Sequence, residues 1–367
     1  MANTHEGFLF IADISGYTLY LSQSELEHAQ EILTALLELV LKNTRPPLVV
    51  SRLAGDAVIS YGLRDHFVSG QTFVEMIENT YVSFRKAIEQ MALNNQCRCN
   101  ACANINSLDL KFFVHFGTFA LQHITDHDEL VGSAVNLIHR LLKNQVIEKT
   151  GFKAYTLYTD TALRQLGLKD LGETLTAHVE AYEHLGETQV WVQDMRPVWE
   201  QKSATLRVEL PPERVNVQVE TVIHLPVERV WDYLIQPEYR KTLMGSLRNE
   251  VVGLAHGRIG PGSIYHCYHG KHILPQTIIE WRPFERIVTH DQIPLPYVSL
   301  LAEYHLEPVS GGTRLVQALS KSIGPLPMRI LSDIVVRRMM KQGAGDIEAF
   351  RDRIESDETG RYAAGVA

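Results

Sequence analysis

Residues 8–22 read FLFIADISGYTLYLS, and residues 51–62 read SRLAGDAVISYG. The first stretch extends an apolar run over 7–12 that ends at a carboxylate, Asp13. A short continuous apolar run suits a buried strand. Ile14, Ser15, Gly16, Tyr17 and Thr18 follow as a turn. In the second stretch, residues 48–53 and 57–61 predict a hairpin, and its turn, Ala54-Gly55-Asp56, carries another carboxylate. Between them Leu26, Ala29, Ile32, Leu33, Leu36, Leu37 and Val40 recur at helical spacing. Ser22 or Ser24 stands where a cap belongs, and Pro46 and Pro47 end the helix. Further on, the pattern predicts a helix over 71–93, a strand over 110–120 and a helix over 133–146. Strands over 154–158 and 189–193 complete the half. Strands and helices in this order predict an α+β chain whose N-terminal part is an α/β sandwich.

Asp13 and Asp56 both sit where apolar strands give way to turns. Mg2+ needs hard oxygen ligands and takes one or two carboxylates from a protein, the rest coming from phosphates and water. Two such aspartates on adjacent strands could hold two ions that activate a hydroxyl and neutralise a triphosphate. Ser15 and Gly16 leave backbone N–H groups open to phosphate. Taken singly, each aspartate reads more readily as an ordinary turn residue. Asn136 and Arg140 are four residues apart and share one helical face. An amide and a guanidinium there suit a ribose and a developing phosphate charge. Alone, they read as a solvated helix face.

In combination the motifs are specific. FLFIADISGYTLYLS resembles the opening motif of class III nucleotide cyclases, in which a strand carries the first metal aspartate. SRLAGDAVISYG resembles their second metal hairpin, and ELVGSAVNLIHRLL over 129–142 resembles their transition-state helix. AYTLYTDTALRQL and YEHLGETQVWVQDM resemble the closing elements, so the likeness spans about residues 5–195. It implies a ferredoxin-like, class III cyclase sandwich that converts a nucleoside triphosphate to a 3′,5′-cyclic nucleotide and pyrophosphate. It further implies Mg2+ or Mn2+ on Asp13 and Asp56, phosphates on the backbone of residues 14–18, and catalytic roles for Asn136 and Arg140. Because such sites form between two cyclase domains, one copy per chain implies a homodimer. At the two base-reading positions stand Arg52 and Glu129. Arg52 could donate to adenine N1 or guanine O6, so the base stays open. The glycine-rich run usual before Glu129 is missing. An alternative reading is therefore a non-catalytic cyclase-fold dimer that binds a nucleotide or a partner.

QCRCNACANI over 96–105 groups Cys97, Cys99 and Cys102. Thiolates at this spacing can converge on a structural zinc, which wants a fourth ligand. His115, His5 or another chain could supply it, and three reduced surface thiols are the plainer alternative. The chain is similar here to a bacterial cyclase-like family with a C-x-C-x-x-C insert.

The proline-bearing segment 196–214 predicts a linker between a cyclase-like domain (1–195) and a second domain (215–355). In the latter, a strand, a helix opened by Pro226, and runs at 250–254, 263–269, 276–281, 286–292, 300–308 and 313–320 precede a long helix over 326–355. VIHLPVERVWDYLIQPEYR and GGTRLVQALS resemble the START and polyketide-cyclase-like superfamily. That resemblance implies a helix-grip (START/Bet v 1-like) antiparallel sheet around a cavity for a hydrophobic small molecule. His266, His269, His272 and His290 match no metal spacing. Residues 356–367 lack apolar periodicity and read as a flexible tail.

The 367 residues carry a net charge of -8 and no long basic run, which argues against a nucleic-acid partner. No stretch reaches the ~18 apolar residues of a membrane span. With no secretory signal and with clustered cysteines, the sequence reads as cytoplasmic.

Overall fold

The computed structural model describes residues 3–64, 69–93, 99–124, 127–182, 185–204, 208–254, 257–295, 297–342 and 344–365. The chain divides into two units, Met1–Thr205 and Leu206–Ala367. The first contains β1 (Asn3–Ser15), α1 (Tyr17–Ser22), α2 (Leu26–Thr44), β2 (Val49–Ala54), β3 (Ala57–Leu63) and α3 (Gly70–Leu93). It continues with α4 (Asn100–Ala103), β4 (Asp109–Ile124), β5 (His127–Val131), α5 (Ser133–Leu141), α6 (Val146–Thr150) and β6 (Tyr155–Thr159). It ends with α7 (Asp160–Leu166), β7 (Thr176–Tyr182), β8 (Gly186–Asp194) and α8 (Arg196–Ala204).

The sheet order is β2-β3-β1-β4-β6-β8-β7, with β5 added to β4. Among the described residues, β4 and β6 are the one parallel pair. β1 is central: β3 pairs with it over Gly7 to Asp13 and β4 over Asn3 to Ser15. Its apolar run is continuous because both faces are covered. Leu9 and Ile11 pack with Ala134, Val135, Ile138 and Leu141 of α5. On the opposite face, Phe8 and Phe10 meet Phe73 of α3, with ring centroids 4.9 and 6.3 Å away. Gly117 lets α5 lie close to β4, since a Cβ there would stand 2.9 Å from the Ala134 Cβ and 3.0 Å from His115 Nε2.

Several boundaries differ from expectation. β1 runs two residues past Asp13, which therefore lies within a paired strand rather than at its end. Of the residues expected as a turn, Ile14 and Ser15 belong to β1, Gly16 precedes the short helix α1, and Tyr17 and Thr18 open it. Neither Ser22 nor Ser24 caps α2; the cap position is Glu25, whose carboxylate instead binds the Ala101 amide at 3.1 Å. Helix 133–146 breaks at Leu141, and the strands β5 and β7 carried too little apolar signal to be foreseen. Part of the expected linker is helix α8.

The second unit runs β9 (Val215–Ile223), α9 (Val227–Leu234), α10 (Pro237–Leu243), β10 (Arg248–Val252), β11 (Ile264–His269) and β12 (His272–Arg282). β13 (Arg286–Gln292), β14 (Ser299–Val309), β15 (Gly312–Ser320), α11 (Leu326–Gln342) and α12 (Ala344–Gly365) follow. The seven strands form one antiparallel sheet, β10-β11-β12-β13-β14-β15-β9. The long helix foreseen over 326–355 corresponds to α11 and α12, which are helical on either side of residue 343, itself outside the described residues. The segment read as a flexible tail instead extends α12 to Gly365. What holds it is polar: buried Glu358 accepts from Arg229 Nη2 at 2.6 Å and from the Tyr233 hydroxyl at 2.7 Å. The unit's interior is also partly polar. Fully buried Arg240 lies 4.4 Å from the ring centroids of both Tyr265 and Tyr304 and reaches Gln276 Oε1 at 3.4 Å. Nothing in that arrangement supports the hydrophobic small molecule expected there.

No helix among the described residues is long and apolar enough to cross a membrane.

Candidate active site

Strand pairing decides what meets Asp13. Its partner on β3 is Ala57, the residue after Asp56, and the Ile14 N–H donates to the Asp56 carbonyl at 3.2 Å. The two aspartates from distant motifs are thereby brought together, both half-buried. Burial pushes the Asp13 carboxyl up to about 6; the charge of Asp56 adds to the rise, and the Lys111 ammonium opposes it. Burial also raises Asp56, against a hydrogen bond from its own amide. Lys111 is Asp13's partner on β4. Burial lowers it, Asp13 and Asp109 oppose that, and its Nζ lies 5.5 Å from the Tyr155 ring centroid.

This donor set fits a hard divalent ion. Two carboxylates resist sharing negative charge in a half-buried place, and a cation between them removes the resistance. Ion binding must compete with the proton on Asp13, whose carboxyl titrates near 6. Mn2+ affinity is therefore expected to fall about tenfold per pH unit below about pH 6 and to level off above about pH 7. Calorimetric titration of Mn2+ across that range measures the slope; a flat profile would remove Asp13 from the ligand set.

Of the residues expected to hold phosphate, Ile14 has its amide engaged by Asp56, and Ser15 belongs to the β1–β4 ladder. Gly16, Tyr17 and Thr18 stand at the opening of α1. Gly16 has φ 86°, and a Cβ on it would come within 2.8 Å of the Ser107 carbonyl oxygen. The turn into α1 therefore needs glycine.

Arg52 and Glu129 meet: Nη1 lies 3.1 Å from Oε2, with both side chains more than a third exposed or close to it (47% and 35%). A β-bulge between Val50 and Arg52 re-aims the arginine. An ion pair this exposed contributes about 1 kcal/mol at most, so a ligand can open it at little cost. His139 of α5 is close enough to feel the Arg52 charge, which lowers it alongside burial, the larger cause.

Asn136 and Arg140 share the exposed face of α5, opposite buried Ala134, Val135, Ile138 and Leu141. Among the described residues neither side chain makes a hydrogen bond or ion pair, and none of these residues joins them to Asp13 or Asp56.

Cys97 lies outside the described residues. Cys99 and Cys102 come together with a histidine, but it is neither of the two foreseen. His115 is buried, its Nδ1 3.0 Å from Thr159 Oγ1, and burial pushes it down to about 4. His5 sits on β1 beside Phe119. The residue at the thiols is His28 of α2. His266, His269, His272 and His290 form no such group among the described residues; His290 Nε2 pairs with Ser299 Oγ at 2.8 Å.

Sequence reasoning missed Lys111, His139 and His28. Lys111 carried a signal, as a single cation in the apolar strand LKFFVHF. His28 carried none, because it meets the thiols across 71 residues of chain.

A family model described as "Protein of unknown function (DUF2652)" matches residues 33–150. The "Uncharacterized protein Rv2561/Rv2562" of Mycobacterium tuberculosis (strain ATCC 25618 / H37Rv) is 32% identical over 105 residues, 29% of this chain. The match spans 47%, about half, of that relative's length. Among solved structures, the chain is similar to the guanylyl cyclase Cya2, with TM-score 0.39 and 11% identity over 52% of this chain and 92% of that one. It is similar to a bacterial light-regulated adenylyl cyclase at TM-score 0.40 and 12% identity, over 56% and 59%. It is also similar to the adenylyl cyclase CyaB from P. aeruginosa at TM-score 0.37 and 13% identity, over 53% and 96%.

Proposed function

We propose that the N-terminal unit is a metal-dependent nucleotide cyclase that works as a homodimer. The observation that carries this is the union of Asp13 and Asp56 across the β1–β3 pairing, with each carboxyl raised by burial. Bound Mg2+ or Mn2+ would supply the charge that acidifies the ribose 3′-hydroxyl and neutralises the triphosphate. The chain's own groups do the rest. Backbone amides of Gly16, Tyr17 and Thr18 receive phosphate oxygens. Arg52 and Glu129 exchange their mutual pair for the edge of the base. Asn136 and Arg140, presented by the partner's α5, orient the ribose and neutralise charge on the α-phosphate. The 3′-hydroxyl gives its proton to water and its oxygen bonds to the α-phosphorus, while the bond to the β-phosphate oxygen breaks and pyrophosphate leaves with that oxygen.

A second reading is favoured by Lys111, which already sets a positive charge beside Asp13. In it the unit is a cyclase-fold dimer that binds a nucleotide or partner without turning it over. Purified protein incubated with each NTP and Mn2+ separates the two. Cyclic nucleotide and pyrophosphate in equal amounts support the first; nucleotide binding without product for any of the four bases supports the second. For the second unit, a helix-grip fold is the proposal that the order of its elements supports, and no ligand is assigned to it.

A further inference from the structure

We propose that His28, Cys99 and Cys102 bind a zinc ion that ties α2 to the segment leading into β4. His28 Nδ1 lies 3.2 Å from Cys99 Sγ and 4.0 Å from Cys102 Sγ, and all three donor atoms fall within 4.8 Å of one another. Tetrahedral zinc, with Zn–S of about 2.3 Å and Zn–N of about 2.0–2.1 Å, sets donors about 3.6 Å apart. The two observed nitrogen–sulfur distances bracket that figure.

The surroundings support the donors. The Cys102 amide donates to Cys99 Sγ at 3.4 Å, a polarity that favours the thiolate. α4 spans only Asn100–Ala103 and is too short to hold itself. Two contacts already seat it on the start of α2: the Glu25 carboxylate accepts from the Ala101 amide at 3.1 Å and from Asn100 Nδ2 at 3.3 Å. A third comes from buried Tyr20 of α1, whose hydroxyl donates to the Ala101 carbonyl at 3.0 Å. The thiols and the imidazole are thus held face to face by groups that are not themselves donors, which is how a preformed metal site is built.

The location gives the site its role. Tyr20 belongs to the helix that Gly16 opens, and Gly16 is crowded by the Ser107 carbonyl just beyond α4. A zinc clip there fixes the backbone behind the turn from Gly16 to Thr18. It is a structural clip, independent of whether that turn receives phosphate. Soft thiolates select zinc over the Mg2+ or Mn2+ that two carboxylates would take. Cys97 lies outside the described residues, and the proposal rests on the other three.

The test uses the full chain, purified under reducing conditions and stripped with a chelator, then titrated with Zn2+ or Co2+. About one zinc per chain is expected, unaffected by excess Mg2+. Co2+ should give the thiolate-to-metal absorption and the visible bands of a tetrahedral site, a reading that needs no variant. Cys99→Ser and Cys102→Ser should abolish it, His28→Ala should weaken binding at least about tenfold, and Cys267→Ser should leave it intact. Zinc should also shield Cys99 and Cys102 from alkylation. The proposal is overturned if the replete chain holds no zinc. It is equally overturned if the Cys99→Ser/Cys102→Ser double variant keeps it, or if those thiols are found joined as a disulfide instead.

Discussion

A mixed dimer of an Asp13→Asn chain and an Arg140→Ala chain is expected to recover about half the activity of the wild-type dimer, although each variant alone loses about 10²–10³-fold. The expectation follows from where the side chains sit. Asp13 lies in the central strand of the sheet, and Arg140 lies on the exposed face of α5, whose other face is buried against that sheet. In the proposed cyclase, the exposed face of α5 serves the aspartates of a second chain rather than those of its own. A twofold dimer then holds two sites. In the mixed dimer one site has both lesions and the other has neither. Differently tagged chains, co-expressed and purified through both tags, isolate that species, and cyclic nucleotide released per dimer is the measurement. A stable mixed dimer with no recovery, alongside an active wild type, would place the working arginine in the same chain as Asp13 or outside the site.

What the sequence could tell followed from the kind of signal each element carries. β1 was legible because burial on both faces writes an unbroken apolar run, and β3 because its hairpin turn is punctuated by Gly55 and Asp56. Asp13 and Asp56 could be paired on paper, since adjacent strands fix neighbours by register. Lys111 could not, because its partner is set by the β1–β4 register, which no local pattern encodes. The end of α12, beyond residue 355, was missed for a related reason. Its last turns are held by the ion pair of Glu358 with Arg229, and a helix anchored through charge leaves no apolar period to read. The cysteines announced a site, while its histidine was hidden by chain distance. Arg52 and Glu129 are the opposite case. They were singled out as a functional pair from motif positions, and they meet in space even though 77 residues separate them.

Asp13→Asn is also expected to stabilise the metal-free protein at neutral pH, by about 1–3 kcal/mol, while removing its metal binding. Burial pushes the carboxyl up to about 6 in the folded chain, against the ordinary aspartate value of 3.8. The folded state therefore holds this proton more tightly than the unfolded state does. Its contribution to stability is fully present below about pH 3.8 and is lost as pH rises through about 6. Above that the metal-free wild type carries a penalty of up to about 3 kcal/mol, from about two pKa units at 1.36 kcal/mol each. An amide of the same shape never ionises and escapes it. Part of the gain is returned, because Lys111, itself disfavoured by burial, loses a neighbouring negative charge. The difference in Tm should therefore be near zero around pH 4 and grow to several degrees by about pH 7. Saturating Mn2+ should then reverse the order, since only the wild type gains RT ln(1 + [L]/Kd) from binding. Thermal melts of both proteins in chelator and in Mn2+, across that pH range, test all three parts at once. A variant that melts below the wild type at neutral pH in chelator would mean that Asp13 is held for the fold. The crossing of the two curves with metal would mean instead that its burial beside Asp56 is a stability cost maintained for an ion.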